Sequence, residues 1–236
     1  MSSIIHRSES RGSAEHGWLH SRHSFSFADY YNPERMGFGK LRVLNDDVVE
    51  AKMGFGTHPH NNMEIVSIPL SGSLHHQDSM GSTQQIHAGE VQIMSAGTGL
   101  THSEYNGSDS EQVNFLQIWI LPRHLNIKPR YEQMKFESAT RQNRFQLVVS
   151  PDGDEGSLII KQDVWFSLAD LDIERSVDYS VHQHGHGIYF FVINGEVKID
   201  DDVLSSRDAM GVTDASIISI QALSTAQLLA IEVPMG

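Results

Sequence analysis

Short apolar runs dominate this chain, and each ends in glycine, asparagine, aspartate, serine or proline about 8–12 residues after the last such break. Lys40–Asp46 (KLRVLND), Met63–Leu70 (MEIVSIPL), Glu90–Met94 (EVQIM), Asn114–Leu121 (NFLQIWIL) and Phe145–Ser150 (FQLVVS) all have this form. Ser157–Asp170, Gly187–Gly195 and Ala226–Pro234 continue it. No helical period of useful length competes. Runs this short cannot bury themselves as helices, so the rhythm predicts an all-β sandwich or barrel.

The pattern repeats once. Ile68–Gln77 (IPLSGSLHHQ) is similar to Phe191–Asp200 (FVINGEVKID), and His87–Gly97 loosely matches Ser205–Ala215. Each half reads as strand, glycine turn, strand, second turn, strand. With 236 residues, two copies of one β unit fit, over 1–125 and 126–236. Asn126–Phe136 is polar, carries Pro129 and reads as the connection between them.

Composition excludes several functions. Thirty acidic residues against 17 Lys and Arg give a net charge of −13, which repels a phosphate backbone and argues against direct nucleic-acid binding. There is no cysteine, so disulfides, thiolate ligands and a cysteine nucleophile are out. The polar first residues contain no signal-peptide core, and no apolar stretch is long enough to span a membrane. The expectation is a cytoplasmic protein acting as a monomer.

The 14 histidines raise the question of which few converge. His58 and His60 are two apart, so on a strand both point to one face. Glu64 and Asn62 have the same parity. A second segment, Gly89–Asn106, brings His102 and, two residues on, Glu104. Two such pairs on separate strands fit a site facing into a small barrel. Imidazole and carboxylate together suit a divalent first-row metal, and the residues leave open whether Glu64 or Glu104 supplies the carboxylate.

Other histidines have simpler readings. His16 and His23 are expected to be structural hydrogen-bonding residues. His75, His76 and His87 lie beside turns and are expected to be solvated or to cap them. Val181–His186 offers His182, His184 and His186, which look like a second metal motif. Aligning Gly195 with Gly72 puts Val181 and Gln183 at the places of His58 and His60, so these three histidines should face away from the barrel interior. Asp200–Asp202 reads as a hydrated turn. Phe25, Phe27, Phe38 and Phe55 are candidates either for the core or for the wall of a flat ligand.

The glycine, H-x-H, Glu64 and Gly72 spacing resembles the first cupin motif, and His102 with Asn106 resembles the second. Ser95-Ala96-Gly97 replaces the usual Pro-x-Gly, His102 falls two residues late, and the spacer before Gly72 is longer than usual by one residue. These departures, with His16–Asp47 (HGWLHSRHSFSFADYYNPERMGFGKLRVLNDD), GFGTHPHNNMEI and MSAGTGLTHSEYN, resemble the pirin branch of the cupins. The similarity is strongest to bacterial pirin-like quercetin 2,3-dioxygenases.

The resemblance implies a bicupin of two tandem β-barrel (jelly-roll) domains, with metal in the first and none in the second. It implies ligands His58, His60, His102 and Glu104, and puts Glu64 in the inner wall or beside the ligands. It puts iron first, with copper, nickel, manganese, cobalt or zinc as alternatives. The implied reaction opens quercetin-like flavonols with O2 and releases carbon monoxide, with Glu104 taking the substrate's hydroxyl proton. The alternative is a metal-dependent regulatory protein, as eukaryotic pirins are partners of transcription factors; the acidic charge permits a basic protein partner. A third is a metal-free or zinc-filled bicupin with isomerase-like activity.

Overall fold

The face that each strand turns toward its neighbour decides the architecture. In a computed structural model covering residues 1–236, 22 β-strands and three short 3-10 turns make two barrels, with no α-helix. No helix is therefore long and apolar enough to cross a membrane. Each barrel pairs one seven-stranded sheet with one four-stranded sheet.

In the first barrel the large sheet runs Arg130–Lys135, Glu90–Ser95, Glu64–Ser71, Val113–Ile120, Leu41–Val49, Leu19–His23, Gly12–Glu15. The small sheet runs Gly54–His60, Leu100–Asn106, Ser73–Asp78, Thr83–His87. The second barrel repeats the plan around His186–Asn194, Ala226–Pro234 and Trp165–Leu171. The two copies legible in the sequence are thus two copies in space.

Two strands cross the expected division. Ser2–His6 pairs with Ala209–Thr213 in the second barrel. Arg130–Lys135, expected to be a connection, pairs with Glu90–Ser95 of the first. Its polar side chains mask the alternation that marks a strand. Each of these segments covers the edge of a large sheet that would otherwise expose unpaired backbone groups.

The two large sheets share one apolar layer. A single cluster of 26 buried residues joins Leu44, Val66, Ile68, Leu116 and Ile118 of the first to Val148, Phe166, Tyr189, Phe191 and Leu229 of the second. The opposite parity faces into the barrels, and there the copies differ. The second barrel is filled by 18 buried apolar residues, among them Ile188, Phe190, Val197, Ile220 and Leu228. The first holds only two small clusters, of six and four residues. Along Val113–Ile120, Val113 and Phe115 join one, Trp119 packs on the other, and Gln117 lies between. The middle of this barrel is polar.

Gly195 joins His186–Asn194 to Glu196–Ile199 in the second barrel. It sits at φ +86, and a Cβ there would meet the Thr225 carbonyl oxygen at 2.2 Å. Gly185 has nearly the same backbone, φ +85, but open space around it. Gly185→Ala should therefore cost only the left-handed strain of about 1–2 kcal/mol. Gly195→Ala should cost roughly 1–3 kcal/mol more from the clash. Urea unfolding of the two variants checks the difference.

Candidate metal centre

Three neighbouring strands of the small sheet each place an i, i+2 pair of ionisable side chains in the site. Gly54–His60 gives His58 and His60, Leu100–Asn106 gives His102 and Glu104, and Ser73–Asp78 gives His76 and Asp78. The register sets His102 opposite both His58 and Asp78, and Glu104 opposite His76. A bulge between His102 and Glu104 shifts the pairing to Gly54–His60. That strand is an edge, where Pro59 leaves no ladder hydrogen bond unmade.

The rings converge. Centroids lie 4.8 Å apart for His58–His60, 4.5 Å for His58–His102 and 4.8 Å for His60–His102. One donor atom from each lies within 4.8 Å of the others. A second group, His76, His102 and Glu104, meets the same limit and shares His102.

Tautomers follow from the partners. His58 Nδ1 donates to the Gly56 carbonyl at 2.8 Å, which leaves a lone pair on Nε2. That lone pair faces His102 Nε2 at 3.1 Å. His102 Nδ1 is enclosed and has no partner. A cation between the rings would take both Nε2 lone pairs and move the His102 proton to Nδ1. The donor set of imidazoles and one carboxylate fits such an ion.

The environment keeps the ligands in binding form. Burial, then the neighbouring His102 and His58, lower the His60 pKa to about 4. Burial, then His58 and His76, lower that of His102 to about 3. Both are neutral near pH 7, as metal ligation requires. Glu104 accepts from Ser67 Oγ at 3.2 Å and Gln117 Nε2 at 2.6 Å, and burial raises its pKa.

A cavity of about 370 Å³ opens beside His58, His60 and Glu104. Trp18, Phe27, Phe55 and Trp119 form its apolar side. Ser21, His23, Asn45 and Asp47 form a polar side. Asp47 is fully enclosed, and burial pushes its pKa to about 7 against the hydrogen bond from Ser21.

Several expectations need correction. Glu64 is not on the inner wall: it turns toward the second barrel, accepting Ser95 Oγ at 2.7 Å and the Lys161 N–H at 3.2 Å. A turn separates it from His60, with Asn62 at φ +49, so strand parity does not carry across. Asn62 itself accepts the Asn126 N–H at 2.7 Å. His76 is not solvated but fully buried, its Nε2 donating to Asp78 at 3.1 Å. His23 is buried, with no partner on Nδ1, and His16 is exposed at the cavity. Phe25 and Phe38 belong to the layer between the sheets.

The trio in the second barrel also departs from expectation. Val181–Gly185 is a loop, so the ungapped alignment does not fix its faces. His184 is exposed, while His182 and His186 turn toward the buried Glu232, at 2.9 and 3.4 Å. His75 and His87 are exposed beside their turns, and Asp200 and Asp201 lie in an exposed one.

The sequence matches the family model described as Pirin over residues 5–120, and that described as Quercetinase C-terminal cupin domain over 147–233. It is 46% identical over 236 residues to the quercetin 2,3-dioxygenase of Escherichia coli (strain K12), covering 98% of both chains. The chain belongs to the pirin family. This pirin is a bicupin, and its fold matches the crystal structure of YhhW from Escherichia coli with a TM-score of 0.95. The two are 44% identical, over 100% of this chain and 99% of that one. It also matches bacterial pirin YhhW in complex with nickel(II), with a TM-score of 0.94, 43% identity and 100% of both chains covered.

The neutral imidazoles of His60 and His102 should make the metal-free pirin acid-sensitive. Their folded pKa values, about 4 and 3, lie below the unfolded 6.5, so the unfolded state binds protons first as pH falls. Their contribution is fully present above about pH 6.5 and declines through pH 4 toward 3. A His60→Gln/His102→Gln double variant should lose less stability over that window than wild type, measured by urea unfolding of metal-free protein at a series of pH values.

Proposed function

We propose that this pirin is a metal-dependent dioxygenase that opens quercetin-like flavonols with O2. The observation that carries the reading is the convergence of three imidazoles, two of which, His58 and His60, line a cavity with an aromatic side. The similarity to a quercetin 2,3-dioxygenase over nearly the whole chain supports it. His58, His60, His102 and Glu104 form the ligand set, within residues 1–125; residues 126–236 pack against that barrel. Iron is the proposed resident metal, with copper, nickel, manganese, cobalt or zinc as alternatives, and the enzyme acts as a cytoplasmic monomer.

The bound metal supplies Lewis acidity to a hydroxyl beside a carbonyl, the adjacent oxygens a flavonol offers. Trp18, Phe27, Phe55 and Trp119 hold the flat rings and exclude water. Glu104 accepts the hydroxyl proton on a carboxylate oxygen. Ser67 and Gln117 hold that carboxylate in place, and its raised pKa makes it a stronger base than an exposed carboxylate. Overall, both atoms of O2 enter the ring-opened product, and one ring carbon leaves as carbon monoxide.

Protein prepared without nickel affinity resin and loaded anaerobically with single metals should consume quercetin when O2 is admitted, read by loss of its absorbance. His58→Ala should lose metal and turnover together. Glu104→Gln should lower kcat by about 10²–10⁴-fold in protein that still holds metal. Wild-type turnover in metal-bound Glu104→Gln would refute its role as base. Tight metal binding with no turnover of any flavonol would overturn the dioxygenase in favour of a regulatory protein.

A further inference from the structure

The polar side of the cavity is more than the fold requires. Ser21 and His23 lie on Leu19–His23, and Asn45 and Asp47 on Leu41–Val49. The register pairs Ser21 with Asp47 and His23 with Asn45. The four form a two-by-two patch on the inward face, each at most 4% exposed. The strand in the same sheet place in the second barrel, Trp165–Leu171, turns Ala169 and Leu171 into an apolar interior, with Ser167 the buried polar side chain on that face. A mostly apolar face, without an ionisable side chain, therefore fills the same fold.

The patch also has unused hydrogen-bonding capacity. Asn45 Oδ1 and His23 Nδ1 have no partner in the protein. Asp47 takes the Ser21 hydroxyl on one oxygen only. Buried polar groups in this state cost stability, which a ligand with matching groups would restore.

Its position relative to the metal residues sets the ligand's length. Gln117 bonds Glu104 and lies beside Asn45, which lies beside His23. Two strand spacings separate Gln117 from His23, roughly 10 Å. That is the reach of a molecule of two or three rings.

We propose that Ser21, His23, Asn45 and Asp47 form a second recognition site, which reads hydroxyl groups on the end of the ligand remote from its metal-chelating oxygens. The substrate class is then a polyhydroxylated flat aromatic, not any compound carrying the chelating pair alone. This rests on the dioxygenase reading above, because it assumes that the near end of the ligand meets the metal. The faces of the four aromatic side chains hold the middle of the molecule.

The test compares two flavonols on metal-loaded protein without O2. One is 3-hydroxyflavone, which has the chelating pair and no further hydroxyl. The other adds hydroxyls on the remote ring. Binding is read from the red shift of the chelated flavonol. Wild type should bind the polyhydroxylated compound at least about tenfold more tightly. Asn45→Ala and Asp47→Ala should each reduce that ratio, with metal content unchanged, and the double variant should bring it within about threefold of unity. Equal affinity in wild type would overturn the proposal without any variant, and so would a ratio that survives the double substitution. If neither compound shifts on metal-loaded wild type, the dioxygenase reading falls as well, so the two failures are distinguishable.

Discussion

The apolar contact between the two large sheets is what permits a polar barrel interior. A barrel ordinarily gains its stability from the side chains it encloses, as the second one does with its 18 buried apolar residues. The first encloses histidines, carboxylates and amides instead. Enclosed polar atoms on His23, Asn45, His76, Gln92 and His102 have no partner, and such groups cost about 1–3 kcal/mol each. The outer face of the same large sheet supplies the compensation. Leu44, Val66, Ile68, Ile93, Leu116 and Ile118 are all buried against the second barrel, each worth roughly 1.5–3 kcal/mol. The second copy is thus the platform on which a polar first copy can exist.

That same outer face fixes where the polar groups point. Strand side chains alternate with period 2, so a one-residue slip would send the apolar set inward and the polar set outward. The contact with the second barrel makes such a slip prohibitive. With the register locked, a polar row runs from strand to strand through His23, Asn45, Gln117, Ser67 and Gln92. Gln117 and Ser67 in that row hold Glu104 from the large-sheet side. The small sheet brings the histidines. The site stands where the two sheets face each other, and neither sheet alone would complete it.

How far this was legible in the sequence depended on whether parity survived. His58 and His60 lie on one strand, and His102 and Glu104 on another, so spacing alone put each pair together. The glycine turns at Gly72 and Gly195 carried the repeat. Parity failed at Glu64 because Asn61–Met63 interrupts the strand; Asn62 at φ +49 makes the break, and the Asn-Asn pair is the turn signal that marks it in sequence. His76 was missed for another reason. In His75-His76 one ring must face in and one out, and nothing local says which. The inward choice follows from Leu74 and Asp78, both buried and both of His76's parity. Leu74-x-His76-x-Asp78 was the signal that would have found it. The exchange of edge strands, with Ser2–His6 in the second barrel, is a long-range pairing that no local pattern encodes.

The second copy shows how few changes separate a ligand-holding barrel from a filled one. It too has a buried carboxylate, Glu232, with two histidines against it. But Glu232 spends its oxygens on structure. It accepts the N–H groups of His182 and Gln183 at 2.9 Å each, and the Tyr179 hydroxyl at 3.1 Å. Those bonds tie the Val181–Gly185 loop down, and with His182 they lower the carboxylate's pKa against its burial. Trp165 stacks on His182 at 5.0 Å and covers the group. Glu104, by contrast, accepts only side-chain donors, Ser67 and Gln117, and its pKa is raised. A carboxylate held by backbone N–H groups is a fixed structural anion, whereas one held by a hydroxyl and an amide, with imidazoles at its side, can still exchange partners with a metal or a proton. The difference between the two barrels is therefore one of which donors reach the buried acid, and the fold itself allows both.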